Sequence, residues 1–296
     1  MSLVPHLDAR DESLDAARDA EIFADRSERK YFLRADRARE FVDGLAGHVE
    51  VHRFRGDGAS QVPRPVHFIT TLYFDTQDRQ VATSCRDGSE NLKLRVREYY
   101  DEHPDLTELA TSRGELSRGD KQIWLELKAK TDGRTKKIRF PMPVTEVAGF
   151  LAGGIVTQRA AAMQSEVDGE DGEELLKGIW KLCRRVGSPL RPDSLVHYRR
   201  RAWQETEGDL RITLDTRVTF YGPRKPFFEN FRTLRDTLEE PPARKLDEFL
   251  VELKLRGDEP DWLKELGQRV GLRPARHGQR QFSKFLVASD AVHAQT

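Results

Sequence analysis

Hydrophobic and polar residues alternate through residues 249–255, which read Phe-Leu-Val-Glu-Leu-Lys-Leu. Because successive side chains of a strand point to opposite faces, one face of this segment is oily and the other carries Glu252 and Lys254. The same acid-base pair recurs twice, at Glu126-Leu127-Lys128 and at Glu28-Arg29-Lys30. The pattern predicts three strands that each add a Glu-x-Lys pair to a common surface.

Cations line one face of four further predicted strands. They are Lys93, Arg95 and Arg97, then Lys137 and Arg139, then Arg200 beside Tyr198, and finally Arg211 aligned with Thr213 and Asp215. A half-buried antiparallel strand normally alternates oily and polar residues, so each strand taken alone is explained as a solvated face. Together, however, the strands bring like charges to neighbouring positions. This many arginines and lysines on one surface indicates a polyanionic ligand, because guanidinium groups bind phosphate oxygens in pairs.

About eight strands are predicted, most of them in hairpins. Helices are predicted over residues 34–48, 144–151, 174–186 and 261–270. An open sheet would leave the charged face wet, whereas a closed sheet would line a lumen with it and turn the oily face toward the helices. We therefore expect an α+β fold, a closed antiparallel β-barrel tunnel with helices packed outside. This domain spans residues 26–288, between a mobile N-terminal tail at 1–25 and a C-terminal tail at 289–296.

Composition narrows the function without identifying it. Lysine plus arginine and aspartate plus glutamate are balanced at 50 each, so the net charge gives no sign of a nucleic-acid partner. Cys85 and Cys183 are far apart in unrelated contexts, which indicates neither a disulfide framework nor a zinc site. No apolar run approaches the roughly 18 residues of a membrane span. We expect a cytoplasmic protein with no direct membrane span.

Nine short motifs occur in an order that resembles a known family. They are Glu28-Arg29-Lys30-Tyr31, Tyr73-Phe74-Asp75-Thr76, Lys93-Leu94-Arg95-Val96-Arg97, Leu125-Glu126-Leu127-Lys128, Lys137-Ile138-Arg139-Phe140, Tyr198-Arg199-Arg200-Arg201-Ala202, Arg211-Ile212-Thr213-Leu214-Asp215-Thr216, Val251-Glu252-Leu253-Lys254 and Phe282-Ser283-Lys284-Phe285. From about residue 26 to 288 the series resembles the VTC domain. That domain is the catalytic module of vacuolar transporter chaperone polyphosphate polymerases, in the triphosphate tunnel metalloenzyme superfamily. Each motif is weak by itself, but nine in the family's order are hard to obtain by chance.

The resemblance implies a divalent metal, Mn²⁺ or Mg²⁺, that assists transfer of the γ-phosphate of ATP to a growing polyphosphate chain. Matched by position, the residues that resemble the family's catalytic set are Lys30, Arg95, Arg97, Lys128, Arg200 and Glu252. Those that resemble its further phosphate contacts are Lys93, Lys137, Arg139, Tyr198, Arg211, Lys254, Ser283 and Lys284. Glu252 resembles the metal ligand, and Glu126 is a candidate second ligand or the partner of a base. The implied partners are ATP and polyphosphate, with a membrane-protein partner left open.

Two departures from the family pattern bear on the activity, the first favouring the VTC branch of the superfamily and the second weakening one phosphate contact. Arg26 stands where the wider superfamily often has a glutamate, and Gln281 stands where polymerases of the family tend to have a lysine. Three functions are retained: a polyphosphate polymerase, a tunnel triphosphatase that hydrolyses tripolyphosphate or a nucleoside triphosphate, and a non-catalytic polyphosphate-binding protein. All three would use the same basic surface, and fold does not determine function.

Overall fold

The computed structural model describes residues 27–54, 64–89, 92–100, 122–131, 134–143, 190–205, 209–223 and 240–294, with Leu234 and Leu238. The tail predicted for residues 1–25, the helices predicted over 144–151 and 174–186, and Cys183 lie outside these residues. Every strand that the sequence predicts falls at least partly within them, so the sheet can be followed from one end to the other.

One antiparallel sheet of eleven strands accounts for most of the described residues. Its strands are β1 (Ser27–Leu33), β2 (Glu50–His52), β3 (His67–Asp75), β4 (Leu92–Tyr100), β5 (Gln122–Thr131), β6 (Arg134–Pro143), β7 (Arg191–Gln204), β8 (Leu210–Tyr221), β9 (Arg244–Lys245), β10 (Phe249–Leu255) and β11 (Arg273–Pro274). The order across the sheet is β11-β1-β10-β8-β7-β3-β4-β5-β6, while β2 pairs with β7 and β9 with β8. A separate two-stranded hairpin joins β12 (Arg276–His277) to β13 (Arg280–Gln281). The long strands are those that the alternation predicted.

The predicted closed barrel is wrong. Among the described strands, no backbone pairing joins the two ends of the sheet at β6 and β11. The edge of β1 that faces away from β10 is taken by β11, which pairs Tyr31 with Pro274 and Phe32 with Arg273. Because proline has no N–H to donate, this two-residue strand ends the ladder rather than extending it. The fold is mixed α+β with a large open antiparallel sheet.

The open sheet is nevertheless strongly curved. Lys128 on β5 lies 3.5 Å from Glu28 on β1, although five strands separate β1 from β5 in the sheet order. Side chains on the concave face therefore meet across the sheet. The register keeps charged residues on this face, because Glu252 on β10 lies opposite Lys30 on one side and Thr213 on the other.

Four α-helices lie within the described residues: α1 (Ala38–Gly44), α2 (Gln80–Asp87), α3 (Asp261–Val270) and α4 (Lys284–His293). The helix predicted over 34–48 is shorter than expected, because a 3-10 turn at Ala35–Arg37 precedes α1. The domain boundary expected at residue 288 falls inside α4. Of the helices that the structure describes, none combines the length and the apolar character needed to cross a bilayer.

The convex face of the sheet is covered by helices. Leu33, Val251 and Leu253 pack there in one hydrophobic cluster with Phe41 of α1 and Leu266 of α3. These strand residues occupy the positions that alternate with the charged ones, so burial of the convex face fixes which residues face the other way. The oily side of the Glu-x-Lys strands therefore sets the direction of their charged side.

A second hydrophobic cluster seats α4 at one end of the concave face. The ring centroids of Phe32 and Phe282 lie 5.2 Å apart, and those of Tyr73 and Phe285 are also 5.2 Å apart. Fully burying a phenylalanine side chain contributes about 1.5–3 kcal/mol, so these rings anchor the beginning of α4 against β1 and β3. This packing brings Ser283 and Lys284 to the charged face.

Candidate functional site

Charged side chains from six strands and α4 converge on the concave face, in a set that we name the basic groove. Its cations are Lys30, Lys93, Arg95, Arg97, Lys128, Arg200, Lys254 and Lys284, and its carboxylates are Glu28, Glu126, Asp215 and Glu252. With eight cations and four carboxylates, the basic groove has a surplus of four positive charges. Clustered cations are costly in a partly dehydrated site unless anions compensate them. The basic groove therefore suits an anionic ligand.

Glu28 and Glu252 lie among the lysines of the basic groove. The register sets Glu28 opposite Lys254 and Lys30 opposite Glu252. Lys30 Nζ lies 2.7 Å from Glu28 Oε1, Lys128 Nζ lies 3.5 Å from Glu28 Oε2, and Lys254 Nζ lies 3.7 Å from Glu252 Oε1. Burial raises the pKa of both carboxyls, but the surrounding cations outweigh it and hold each pKa below its ordinary value. Both carboxyls are therefore ionised at neutral pH.

Glu126 binds the arginines of β4. Arg95 Nε donates a hydrogen bond to Glu126 Oε2 at 2.6 Å, and Arg97 Nη1 lies 3.7 Å from the same oxygen. Arg97 Nε also donates to Thr71 Oγ1 at 3.2 Å. The Glu126 side chain is fully buried, so this arrangement fixes the two guanidinium groups rather than leaving them free to reorient.

Asp215 holds a third group of cations, and the sequence assigned it no role. Arg200 donates to it from Nε at 2.6 Å and from Nη2 at 2.8 Å, and Lys284 Nζ donates at 2.5 Å. Burial raises the pKa of Asp215, but Arg200 and Lys284 outweigh it and hold that pKa well below its ordinary value. The Tyr198 ring lies beneath both cations, with its centroid 5.2 Å from Arg200 Cζ and 4.6 Å from Lys284 Nζ. Asp215 therefore links α4 to β7 inside the basic groove.

Lys93 is the cation of the basic groove that makes no ion pair with any described residue. Its Nζ donates a weak hydrogen bond to Ser283 Oγ at 3.4 Å, and it lies 5.8 Å from the Phe285 ring centroid. Burial lowers the pKa of Lys93, and the neighbouring cations Lys30 and Arg95 lower it further. A negatively charged group from a ligand would relieve this cost.

The remaining predicted site residues lie next to the basic groove. Arg211 is in register with Lys254 on the neighbouring strand. Lys137 and Arg139 lie on β6, where the backbone register sets them opposite Lys128 and Glu126. These positions follow from backbone pairing alone. They place Lys137 and Arg139 beside β5, the strand that carries Glu126 and Lys128.

The donor set of the basic groove fits a divalent cation only with help from a ligand. Within the described residues, no three histidine, cysteine or acidic side chains cluster closely enough to hold a metal by themselves. Glu28 and Glu252 are ionised oxygen donors, and they lie close enough together that the charge of Glu28 raises the pKa of Glu252. Two carboxylates plus phosphate oxygens make the hard donor set that Mg²⁺ and Mn²⁺ prefer.

Comparison with protein-family models matches this chain to the VTC domain over residues 25–293. The chain belongs to the VTC domain family. The matched range continues past residue 288 and includes α4 up to His293, so the helix that supplies Lys284 is part of the VTC domain. Among curated proteins, no match to the chain is found.

Three solved structures that are similar to this VTC domain differ from it widely in sequence. A putative adenylate cyclase from Bacillus halodurans is 12% identical with a TM-score of 0.45, over 86% of this chain and 94% of that chain. A putative adenylate cyclase from Vibrio parahaemolyticus is 12% identical with a TM-score of 0.37, over 88% and 98%. A conserved hypothetical protein from Pyrococcus furiosus is 11% identical with a TM-score of 0.33, over 83% and 92%. At these values the likeness carries no argument about function.

Gln281, one of the two departures from the family pattern, lies at the rim of this VTC domain's basic groove. Its Nε2 donates a hydrogen bond of 3.0 Å to the backbone carbonyl of Glu28, and its side chain is exposed. A neutral side chain there adds no charge to the groove. The departure therefore removes one cation from the rim and leaves the eight cations of the basic groove in place.

Proposed function

We propose that this VTC domain is a metal-dependent polyphosphate polymerase, which transfers the γ-phosphate of ATP to a polyphosphate chain held in the basic groove. The observation that carries the proposal is the surplus of positive charge in the basic groove, where Lys93, beside Ser283, makes no ion pair with any described residue. Polyphosphates spread negative charge over many oxygens along a narrow chain. Such a ligand matches cations that arrive from several strands around one concave face.

The chain's own residues would act by positioning and charge neutralisation. A terminal oxygen of the polyphosphate chain attacks the γ-phosphorus of ATP, a new P–O–P bond forms, and the bond to ADP breaks with its electron pair leaving on ADP. This transfer needs no protein nucleophile. Lys30, Arg95 and Lys128 would instead bind the oxygens of the transferred phosphoryl group. Lys93 and Lys284 would hold the phosphates nearest α4. Cations fixed in advance stabilise the charge that develops in the transition state.

Glu28 and Glu252 are the residues that we assign to holding Mn²⁺ or Mg²⁺. The bound cation would neutralise phosphate charge and polarise phosphoryl oxygens. Glu126, which the sequence suggested as a second metal ligand or the partner of a base, contacts Arg95 at 2.6 Å. That contact favours the second of these roles, and the pairing of Glu28 with Glu252 takes the place of the Glu126 ligand in our proposal.

One incubation tests the proposed reaction. The VTC domain is supplied with ATP and Mn²⁺, products are separated on a gel for polymer, and ADP and free phosphate are assayed. We expect polymer to lengthen as ADP is released. Glu252→Gln should abolish elongation, whereas the matched variant Glu248→Gln, at a half-buried residue outside the basic groove that pairs with Arg273, should elongate like the wild type.

The two alternative functions give different products in the same incubation. Free phosphate without longer polymer would identify a triphosphatase. Binding of tripolyphosphate with no turnover of ATP under Mn²⁺ or Mg²⁺ would identify a binding protein. Either outcome would contradict the polymerase proposal, while absence of any tripolyphosphate binding would remove all three functions.

A further inference from the structure

Three arginines form a cluster on the convex side of the sheet, which we name the arginine patch: Arg199, Arg201 and Arg217. Arg199 and Arg201 flank Arg200 on β7, and side chains of a strand alternate between its faces. Since Arg200 points into the basic groove, its two neighbours lie on the opposite face. Arg199 and Arg201 are half-buried and Arg217 is exposed.

An irregularity in the sheet brings Arg217 to this cluster. The pairing of β7 with β8 shifts register between His197 and Arg199, and Arg217 lies in the extra stretch of β8. Arg217 has a φ of 54°, in the left-handed region that a non-glycine residue adopts only at a cost. Bulges of this kind turn a side chain away from its regular direction and are frequent beside functional sites.

The arginine patch has no counter-charge in the described part of the chain. None of its three members makes an ion pair there, and the Nε atoms of Arg199 and Arg201 are buried without a hydrogen-bond partner. Burial lowers the pKa of Arg199, and Arg217 and Arg201 lower it further. By contrast, the exposed Arg34 and Arg37 each bind a nearby carboxylate.

We propose that the arginine patch is a second anion site, separate from the basic groove, that binds a condensed phosphate chain in solution. An Nε and its neighbouring Nη form a planar fork that matches two oxygens of a phosphate group, so two such forks on one strand suit consecutive phosphates. Arg201 Cζ already lies 5.2 Å from the centroid of Trp203, which holds one fork in place. The identification of the ligand as a condensed phosphate chain rests on the proposed function, whereas the presence of an anion site at the arginine patch does not.

Burial of the Nε atoms distinguishes a narrow phosphate chain from a membrane surface. A bilayer meets the outermost atoms of a protein, whereas the Nε atoms of Arg199 and Arg201 lie beneath the surface. A phosphate chain, by contrast, can place successive groups against the two guanidinium forks as these side chains turn outward, and buried donors without a partner gain most from such a contact.

Calorimetric titration with tripolyphosphate, without metal, tests the arginine patch by stoichiometry. We expect two molecules bound by the wild type, one by the double variant Arg199→Gln/Arg201→Gln, and one by the groove variant Lys93→Gln/Arg95→Gln. The matched control Arg34→Gln/Arg37→Gln removes the same charge and should bind two. The melting temperature of each variant is recorded as a check on folding, and Arg199→Gln/Arg201→Gln should not lower it, because the substitutions relieve repulsion.

The other possible stoichiometries in this titration each support or contradict the second site. Two molecules bound by Arg199→Gln/Arg201→Gln, or one bound by the control, would overturn the second site. If the wild type binds one molecule that Arg199→Gln/Arg201→Gln loses and the groove variant keeps, the arginine patch stands and the proposed function fails. Vesicles of phosphatidylcholine and phosphatidylserine provide the last arm. If vesicle binding depends on Arg199 and Arg201 while the tripolyphosphate stoichiometry is unchanged in Arg199→Gln/Arg201→Gln, the ligand of the arginine patch is a membrane surface. That result would contradict the proposal.

Discussion

Replacing Asp215 with asparagine tests whether buried carboxylates hold the basic groove together. Asp215 is fully buried and accepts hydrogen bonds from Arg200 at 2.6 and 2.8 Å and from Lys284 at 2.5 Å. Asparagine has nearly the same shape but no charge. The variant therefore leaves two cations buried without the carboxylate that compensates them, at the contact between α4 and β7.

The expected loss is large for a single substitution. Removing one partner of a buried ion pair costs about 3–5 kcal/mol, because the other charge stays buried without compensation. We expect Asp215→Asn to fall near the lower end, about 3 kcal/mol, since the asparagine oxygen still accepts one hydrogen bond from Arg200 or Lys284. A small or medium-sized domain has only about 5–15 kcal/mol of stability in total. The matched variant Asp36→Asn breaks a pair with Arg34 whose side chains are 55% and 68% exposed, and should cost less than about 1 kcal/mol.

Urea unfolding at several pH values measures both the loss and its origin. The pKa of Asp215 is depressed in the folded state, so the stabilisation is fully present above the unfolded-state pKa of about 3.9 and disappears as the pH falls through the folded-state pKa. The difference between wild type and Asp215→Asn should stay constant from about pH 7 to 5 and shrink below about pH 4. Tripolyphosphate should raise the unfolding midpoint of Asp215→Asn more than that of the wild type, because it replaces the lost negative charge. A loss at pH 7 no larger than that of Asp36→Asn would refute this reasoning.

Three further substitutions test the other parts of the basic groove by tripolyphosphate titration. Lys93→Gln should weaken binding about tenfold, which corresponds to about 1.4 kcal/mol. The control Lys264→Gln, at an exposed pair with Asp261, should leave the affinity unchanged. Equal effects of the two substitutions would exclude Lys93 as a ligand contact. Glu252→Gln should tighten binding in the absence of metal and remove the gain in affinity that Mn²⁺ gives the wild type; a variant that keeps that gain would exclude Glu252 as a metal ligand. Burial lowers the pKa of Lys128 to about 8, so its charge is lost as the pH rises through that value and binding should weaken there. Lys128→Arg, which keeps its charge, should shift the weakening to higher pH, and an unchanged profile would assign it to another group.

The long strands could be predicted because each has one buried face and one charged face. In Phe249–Leu255 the period of two is unbroken, and the convex cluster around Val251 and Leu253 makes that period a condition of folding. Closure of the sheet could not be predicted in the same way. It depends on β11, where two residues including Pro274 occupy the edge of β1, and two residues are too few to show a period.

The cations of the site were predictable for the same reason as the strands. Lys30, Arg95 and Arg200 occupy concave-face positions by alternation, and the curvature of the sheet brings them together. The partner of each cation was not predictable, because it depends on contacts across strands. Asp215 shares its face with Arg211 in the sequence pattern, but its role follows only from Lys284, which lies 69 residues away.

The carboxylates of the basic groove balance two opposing requirements, a stable fold and affinity for an anion. Eight cations on one concave face with no counter-ions would repel one another too strongly to fold, while full neutralisation would leave nothing to attract an anion. Glu126 and Asp215 reduce the first cost by binding arginines in fixed orientations, and the surplus that remains supplies the attraction. Stability and anion affinity should then change in opposite directions: neutralising a carboxylate should destabilise the ligand-free domain and tighten tripolyphosphate binding, and neutralising Lys93 should do the reverse. A set of variants in which both quantities fall together would show that the charges act through packing rather than through their balance.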